Sequence, residues 1–400
     1  MPPKRNASPR KGKPPIVDAM ADCFFPEEIM LCILTRLPVK SILRLKSVCK
    51  PWRHLFSTPE FIKMHQGQFS SDPQNQSVVF YEAKAGAMYL LNIVESNENK
   101  EPTSIAYPES FNMDIVGCCN GLFCVGCPGS LGLGVDLWNP ALKLYKFIRL
   151  SSVDFGVPVM TSLGFGYDAE GDDYKVVRIV YVNKNENVIS GVEVYSVNSD
   201  SWTKVHLDFQ FIVFGNKSDL IVNGNPYWFA VIGEDEVLVC FDVTKSVFKI
   251  VPLPVFYMGE DGPVKLVDWK GNLGALLCTV GCDQMSVSSL DVWVFDDGER
   301  IWRKNQTFGS IQGSVDMFTL CVKNGNLLGE RLDGKRIVFD PANGCVEEIA
   351  IDEGRKRPFE LYGYTESLTH IKGMSKEVKG RNRNRNRKRK IIGLLMSYMH

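Results

Sequence analysis

The feature that most limits what this chain can fold into is an internal repeat. An aromatic residue inside an apolar run is followed seven positions later by a second large apolar residue. The copies are Trp138/Tyr145, Tyr195/Trp202, Phe241/Phe248, Phe295/Trp302 and Phe339/Val346, with a weaker one at Tyr81/Met88. Their first members lie 57, 57, 46, 54 and 44 residues apart. A glycine turn precedes five of the six: Asn120-Gly121, Glu170-Gly171, Asn223-Gly224, Gly271-Asn272 and Asn324-Gly325. Asn-Gly between apolar runs signals a hairpin, because both central positions take positive φ. Two hairpins per unit make four strands, the arithmetic of a propeller blade. The copies predict about six blades, with five or seven blades, or a twisted pair of β-sheets, as the alternatives. The first lacks its leading hairpin, and Phe359, Leu361, Tyr362, Tyr364 and Leu368 offer a strand that closes the ring. Closure removes the exposed edges that invite aggregation.

Ahead of the repeat the periodicity is helical. Pro26 suits a first helical position, and Glu27 and Glu28 complement the positive end of the helix dipole. Ile29, Cys32, Ile33 and Leu37 recur at helical spacing before Pro38, and Ile42, Leu45, Val48 and Cys49 before Pro51. Trp52, Leu55 and Phe56 follow, and then a cap-and-proline start at Thr58-Pro59-Glu60. Some forty-five residues are marginal alone, so part of this apolar surface should be covered by another protein or by the β domain. The expected layout is a basic tail over 1–21, helices over 22–66, a polar linker over 67–77, β structure over 78–369 and a second basic tail over 370–400. The fold class is a multidomain α+β chain, a small helical module followed by an all-β, propeller-like domain.

Charge supports that division. Lys+Arg and Asp+Glu each number 46. Residues 1–15 hold five basic groups and 371–400 ten, with one acid between the two segments, so the body carries about −14. That argues against broad nucleic-acid binding. No run approaches a membrane span, residues 1–13 do not read as a secretory signal, and twelve cysteines suit a reducing compartment.

Several constellations have chemical readings. Cys118, Cys119, Cys124 and Cys127 cluster, and Cys124 and Cys127 have metal-ligand spacing, with Cys278 and Cys282 as a second pair. The same residues read as small buried hydrophobes in strands, which leaves no metal or cofactor expected. Gly164-Phe165-Gly166 and Gly132-Leu133-Gly134 lack a following helix and read as strand turns or close backbone approaches. Asp172-Asp173 and Asp296-Asp297 read as solvated turns, and the repeat aromatics as packing between blades. Arg381, Arg383, Arg385, Arg387, Lys388, Arg389 and Lys390 form a basic run that reads as a solvated tail, as a nuclear import signal, or as a binder of nucleic-acid phosphate or anionic lipid.

The segment FPEEIMLCILTRLPVKSILRLKSVCKPWRHLFSTPEF resembles the F-box as plants use it, on Phe25-Pro26, Leu37-Pro38-Val39-Lys40-Ser41, Val48-Cys49-Lys50 and Trp52-Arg53. The downstream region is similar to the plant F-box-associated domain of the first type. That likeness rests on Cys119-Asn120-Gly121-Leu122, Leu137-Trp138-Asn139-Pro140, Gly164 to Asp168 and Asp173 to Val177. Phe25 stands where the family usually has leucine, and the basic tails are not part of its pattern. The resemblance implies a non-catalytic substrate receptor of an SCF-type cullin ubiquitin ligase. The F-box would dock on a Skp-type adaptor, and through it on cullin, while the β domain holds a target protein. Pro26, Ile33, Leu37, Pro38, Leu43, Val48, Cys49, Trp52 and Leu55 are the expected adaptor-binding residues, several of which also read as core of the helical unit. Nucleus and cytoplasm are the expected locations. The alternative is a ligand- or glycan-binding propeller whose helices serve only assembly.

Overall fold

The computed structural model describes residues 26–82, 87–92, 103–105, 114–126, 134–150, 160–181, 189–255, 264–280, 287–309, 311, 315–331, 333–349 and 360–376. The amino-terminal tail and the 381–390 run therefore lie outside the described residues. Four helices come first: α1 (Glu27–Leu34), α2 (Val39–Leu45), α3 (Lys50–Leu55) and α4 (Pro59–Ser71). Pro26 and Pro38 immediately precede α1 and α2, and Pro51 and Pro59 lie in the first turns of α3 and α4, but α2 ends at Leu45, so Val48 and Cys49 lie beyond it and not on its stripe. Thr58 caps α4 through a hydrogen bond accepted from Phe61 N.

The expected linker over 67–77 is not a linker. Residues 67–71 continue α4, a 3₁₀ turn spans Pro73–Asn75, and the first strand begins at Gln76. Phe69 supplies the reason: it is buried and stacks on His65, which keeps the helix winding past the polar surface residues.

The β region is a six-bladed propeller. Its first blade holds β1 (Gln76–Glu82), β2 (Ala87–Asn92) and β3 (Thr103–Ile105). The second has β4 (Asp114–Cys119), β5 (Leu122–Gly126), β6 (Gly134–Asn139) and β7 (Leu144–Arg149). The third has β8 (Met160–Asp168), β9 (Asp173–Tyr181), β10 (Ile189–Ser196) and β11 (Ser201–Val205). In the fourth, β12 (Ile212–Val213) and β13 (Leu220–Val222) both pair with β14 (Asn225–Ile232), ahead of β15 (Asp235–Asp242) and β16 (Val247–Pro252). The fifth runs β17 (Val264–Trp269), β18 (Asn272–Val280), β19 (Val287–Asp296) and β20 (Ile301–Phe308). The sixth runs β21 (Val315–Cys321), β22 (Leu327–Arg331), β23 (Arg336–Asp340) and β24 (Cys345–Ile349). Finally β25 (Glu360–Thr365) returns to pair antiparallel with β1, becoming the inner strand of the first blade. The ring is closed by its own carboxyl-terminal end, as the aromatic-rich segment predicts.

The seven-residue spacing has a simple structural origin. Trp138 faces Tyr145, Tyr195 faces Trp202, Phe241 faces Phe248, Phe295 faces Trp302 and Phe339 faces Val346, each across the outer hairpin of its blade. A polar residue follows each first aromatic and caps the turn. Asn139, Ser196, Asp242, Asp296 and Asp340 each accept a backbone N–H two or three residues on. In four of these turns the last residue has positive φ without being glycine: Lys143, Asp200, Ser246 and Arg300. The weak copy is out of phase, because Tyr81 and Met88 face each other across β1 and β2, the middle hairpin of blade 1. The indoles also tie neighbouring blades. Trp202 Nε1 donates to the Arg149 carbonyl at 2.9 Å and Trp302 Nε1 to that of Pro252 at 2.8 Å.

The inner glycine turns are as predicted at Asn120-Gly121 and Asn223-Gly224, where both residues have positive φ. Two shift by a residue or more. In blade 5 the positive pair is Lys270-Gly271, because Trp269 pairs with Asn272. In blade 3 the turn is longer, Asp168 pairs with Asp173, and Asp172 takes the positive φ.

The β domain also extends beyond 369. Ile371 is buried, and β26 (Ser375–Lys376) pairs with β7, so described structure reaches Lys376 inside the span expected as a tail.

Candidate functional site: the helical face and the propeller channel

The helices pack around Leu34, Val39, Ile42, Leu55, Phe56 and Phe61, and this cluster includes Leu368 from the β domain. Ala141 and Leu142, in the outer turn of blade 2, pack on the same cluster. Leu368 is held in place by its neighbours. Asn139 Nδ2 donates to the carbonyls of Ser367 and Thr369 at 3.0 and 2.9 Å, so the segment crosses beneath blade 2 on a fixed path. Glu366 beside it accepts a hydrogen bond from the Val39 backbone, at the start of α2, where no side chain of the helix itself serves as cap. Burial pushes the Glu366 carboxyl above the ordinary carboxylate range. Sequence periodicity had placed Leu368 with the closing strand; it is instead the plug that joins the two modules.

One face of the helices is thus filled by the propeller, and another is uncovered. Ile29 and Ile33 are each 48% exposed, Leu43 38% and Val48 65%. Pro26, Pro38 and Cys49 are exposed with them, while Leu37 and Trp52 are half-buried. Of the nine residues expected to bind an adaptor, six therefore lie at the surface and two at its edge. Leu55 does not: it is fully buried in the helical core, so its part is structural. Ile29 belongs to the exposed face and was not among the nine. The signal for it is the i, i+4 spacing to Ile33, since α1 carries two stripes and Leu34 marks the inner one. Arg36, Lys40, Arg44, Lys50 and Arg53 surround the apolar residues and are all exposed.

The second feature is a cavity of about 1100 Å³ along the propeller axis. The inner strands β4, β13, β17, β21 and β25 line it, and α4 contributes Lys63, Gln66, Gly67 and Ser70 at one end. That end is where the inner hairpins turn, at Asn120-Gly121, Asn223-Gly224 and Lys270-Gly271. Lys323 fastens the helix there: its Nζ donates to the Ser70 carbonyl at 2.7 Å and its backbone N–H to Gln76 Oε1 at 2.5 Å. Burial holds the Lys323 ammonium below its ordinary value and raises Asp268 nearby. The helices therefore stand over the near mouth.

At the far mouth Lys217 spans the inner wall. Its backbone bridges to Leu163, while its Nζ reaches Glu360 Oε2 and Oε1 at 2.6 and 2.7 Å and the Ile115 carbonyl at 3.1 Å. Asp114 and Asp219 stand beside this pair, and burial raises both carboxyls. Gly117 explains the narrowness of the wall, since a Cβ there would lie 2.4 Å from Ile221 Cδ1.

The cysteine cluster is distributed through the sheets. Cys119 and Cys124 are buried in blade 2 and Cys278 in blade 5, while Cys127 and Cys282 lie outside the described residues. Burial pushes the Cys119 thiol up to about 12. Asp172 and Asp297 sit in exposed turns as expected, and Asp296 ends β19 and accepts from Gly298 and Glu299, but Asp173 does not: it is buried at the start of β9, where it accepts a hydrogen bond from Asn198 N at 2.9 Å. Among the described residues no helix is long and apolar enough to cross a membrane.

Comparison with known proteins agrees with this architecture. The F-box domain model matches residues 23–64 and the F-box associated beta propeller domain model matches 82–371. An F-box/kelch-repeat protein of Arabidopsis thaliana is 28% identical over 310 residues, covering 73% of this chain and 80% of its own. An F-box/WD-40 repeat-containing protein of the same plant is 30% identical over 298 residues, covering 70% and 66%. Among solved structures, an oligogalacturonate lyase in complex with manganese aligns over 72% of this chain and 78% of its own, with a TM-score of 0.40 and 11% identity. With a helical module of matching motifs seated on a closed six-bladed ring, the chain belongs to the F-box proteins that carry an F-box associated beta propeller domain.

Proposed function

We propose that this chain is the substrate-recognition subunit of an SCF-type cullin ubiquitin ligase, docking on a Skp-type adaptor through α1 to α3 and presenting a target protein on the propeller. The observation that carries the reading is the uncovered apolar face of Ile29, Ile33, Leu43 and Val48, on a helical module whose other side is already filled by Leu368. Apolar side chains this exposed on so small a unit mark an interaction surface, and an interface of roughly 800 Å² per partner suffices for a stable complex.

Function in this reading is positioning. Leu368, Glu366 and the Lys323–Ser70 hydrogen bond fix the propeller against the helices, so a target on the ring is carried at a set distance from the adaptor. Holding a target lysine near a conjugating enzyme raises its effective concentration, and no bond-making residue is required in this chain. Capture by a recombinant plant Skp-type adaptor tests the docking. The double variant I33D/V48D should lose capture while the far-ultraviolet spectrum and melting temperature stay those of the parent chain. Retained capture would overturn the assignment. The 381–390 basic run is proposed as a nuclear import signal, giving distribution between nucleus and cytoplasm. A reporter fused to residues 375–400 that fails to enter the nucleus removes that part.

A further inference from the structure

The far mouth of the channel carries a second uncovered apolar surface. Phe214 is 62% exposed and Met160 43%. Met160 faces Tyr181 across the β8–β9 pair, and the Tyr181 hydroxyl accepts a hydrogen bond from the N–H of Val213, the residue before Phe214, at 3.2 Å. Phe214 is not a frayed loop residue. Its N–H donates to the Phe229 carbonyl at 3.1 Å, and three residues later Lys217 bridges to Leu163. An aromatic fixed by its backbone yet open to solvent contributes nothing to the core and is pre-organised to receive a partner.

The charged groups beside it are mostly carboxylates. Asp219 accepts from Phe229 N at 2.9 Å, which places its carboxylate on the channel wall close to the Phe214 turn. Asp114 and Glu360 stand across the mouth, and the opposing ammonium groups are Lys217, held by Glu360, and Lys265. On the rim, the β14–β15 turn adds Glu234, Asp235 and Glu236, and the approach to β12 adds Asp208 with His206 beside it. Lys217 is the one lysine or arginine in segments 206–219 and 232–236. A partner complementary to this end is cationic next to an apolar group.

We propose that the far mouth is the target-binding site and that it takes an extended protein segment in which a lysine or arginine enters beside Asp219 and Asp114 while an adjacent apolar side chain packs on Phe214 and Met160. The inference rests on the substrate-receptor reading and names the chemistry of the target. Desolvated carboxylates gain most from a cation that reaches them with its own hydrogen-bond donors. The apolar neighbour supplies the anchoring contact.

The test is an oriented library of random octapeptides with one fixed position, applied to the full chain captured on its adaptor. Lysine or arginine next to leucine, methionine or phenylalanine should be enriched. The best such peptide should bind about tenfold more weakly to D219N and to F214S, a change of about 1.4 kcal/mol. Its affinity should also fall with added salt. Enrichment of acidic peptides, no enrichment, or binding indifferent to both variants overturns the proposal. Adaptor capture separates the two readings. D219N and F214S should still be captured, so a null peptide result with capture intact removes only this inference. Failure of the parent chain to be captured removes the receptor reading. F214S alters an exposed side chain, so it remains informative should D219N fold poorly.

Discussion

His65 Nε2 donates a hydrogen bond to the carbonyl oxygen of Leu37 at 2.8 Å, joining the middle of α4 to the turn between α1 and α2. A carbonyl can only accept, so the proton is on Nε2. The ring is fully buried, stacked on Phe69 with centroids 5.1 Å apart, and its Nδ1 has no partner. This one bond holds the Leu37-Pro38 corner at the edge of the exposed apolar face. H65F should strand the Leu37 carbonyl and cost about 1–3 kcal/mol in urea unfolding. H65Q, which keeps a donor, should lose less, and equal losses would show that the hydrogen bond is unimportant.

The same histidine sets a pH dependence. Burial lowers its pKa from the ordinary 6.5, so the folded protein holds it neutral. In the unfolded chain it takes a proton first as pH falls. Its contribution to stability is therefore complete above about pH 6.5 and declines below it, through the interval down to the depressed folded value. Unfolding free energies of the parent and H65F chains should converge on acidification across that interval. Parallel curves would exclude His65 as the source.

Exposed and buried members of the helical apolar set should separate cleanly. V48D and I33D place charge on side chains that already meet water, so stability should change by no more than about 0.5 kcal/mol while adaptor capture is lost. L55A empties a fully buried site and should cost about 2–5 kcal/mol, with any loss of capture following from unfolding. Capture compared at matched folded fraction distinguishes the two.

The repeat made the ring legible because each pair of aromatics is a cross-strand contact with a polar cap between them, and such local chemistry is written in consecutive residues. A count of about six blades and closure by the carboxyl-terminal segment followed from it, while the helical module was read from its own helical period. What escaped was long-range. Leu368 reads as one more apolar residue in the closing segment, and only its place in the buried cluster of the helices makes it the joint between modules. Phe214 carries no signal in the sequence that sets it apart from Phe209 and Phe211, and it is the bend after Val213 that leaves it exposed. Of the exposed apolar residues of the helices, Ile33, Leu43 and Val48 were among those expected to bind an adaptor and Ile29 was not. The division into inner and outer faces was not legible, because α1 is apolar on both sides and which side is covered depends on the propeller.

Thiol chemistry offers an independent footprint. Cys32, Cys49 and Cys345 are exposed, while Cys119, Cys124, Cys240, Cys278 and Cys321 are buried. Burial pushes the Cys119, Cys240 and Cys321 thiols up to about 12, so almost no thiolate forms there at pH 8. Brief iodoacetamide treatment followed by peptide mass mapping should mark Cys32, Cys49 and Cys345 and spare the buried five. Bound adaptor should then protect Cys49, on the apolar face, and leave Cys345, on blade 6, reactive. Protection of both or neither would place the adaptor elsewhere.

Closure by β25 makes the carboxyl-terminal end a structural requirement up to a definable residue. The strand pairs with β1 over six residues, from Gln76 with Thr365 to Tyr81 with Glu360, and the segment after it delivers Leu368 to the helical core. A chain ending at Lys376 keeps all of these contacts and should melt with the full-length protein. A chain ending at residue 358 loses the inner strand of blade 1, leaves β1 with an open edge and removes the plug between modules. Exposed edges of this length template association with other chains, so this truncation should elute as aggregates in size-exclusion chromatography. A synthetic peptide of residues 359–376 added during refolding should recover monomer, because it restores both the ladder and Leu368. The same peptide with L368D should pair with β1 yet leave the helices unsecured, visible as protease cleavage within 57–72. A monomeric, protease-resistant chain ending at 358 would mean that the ring closes by some other contact.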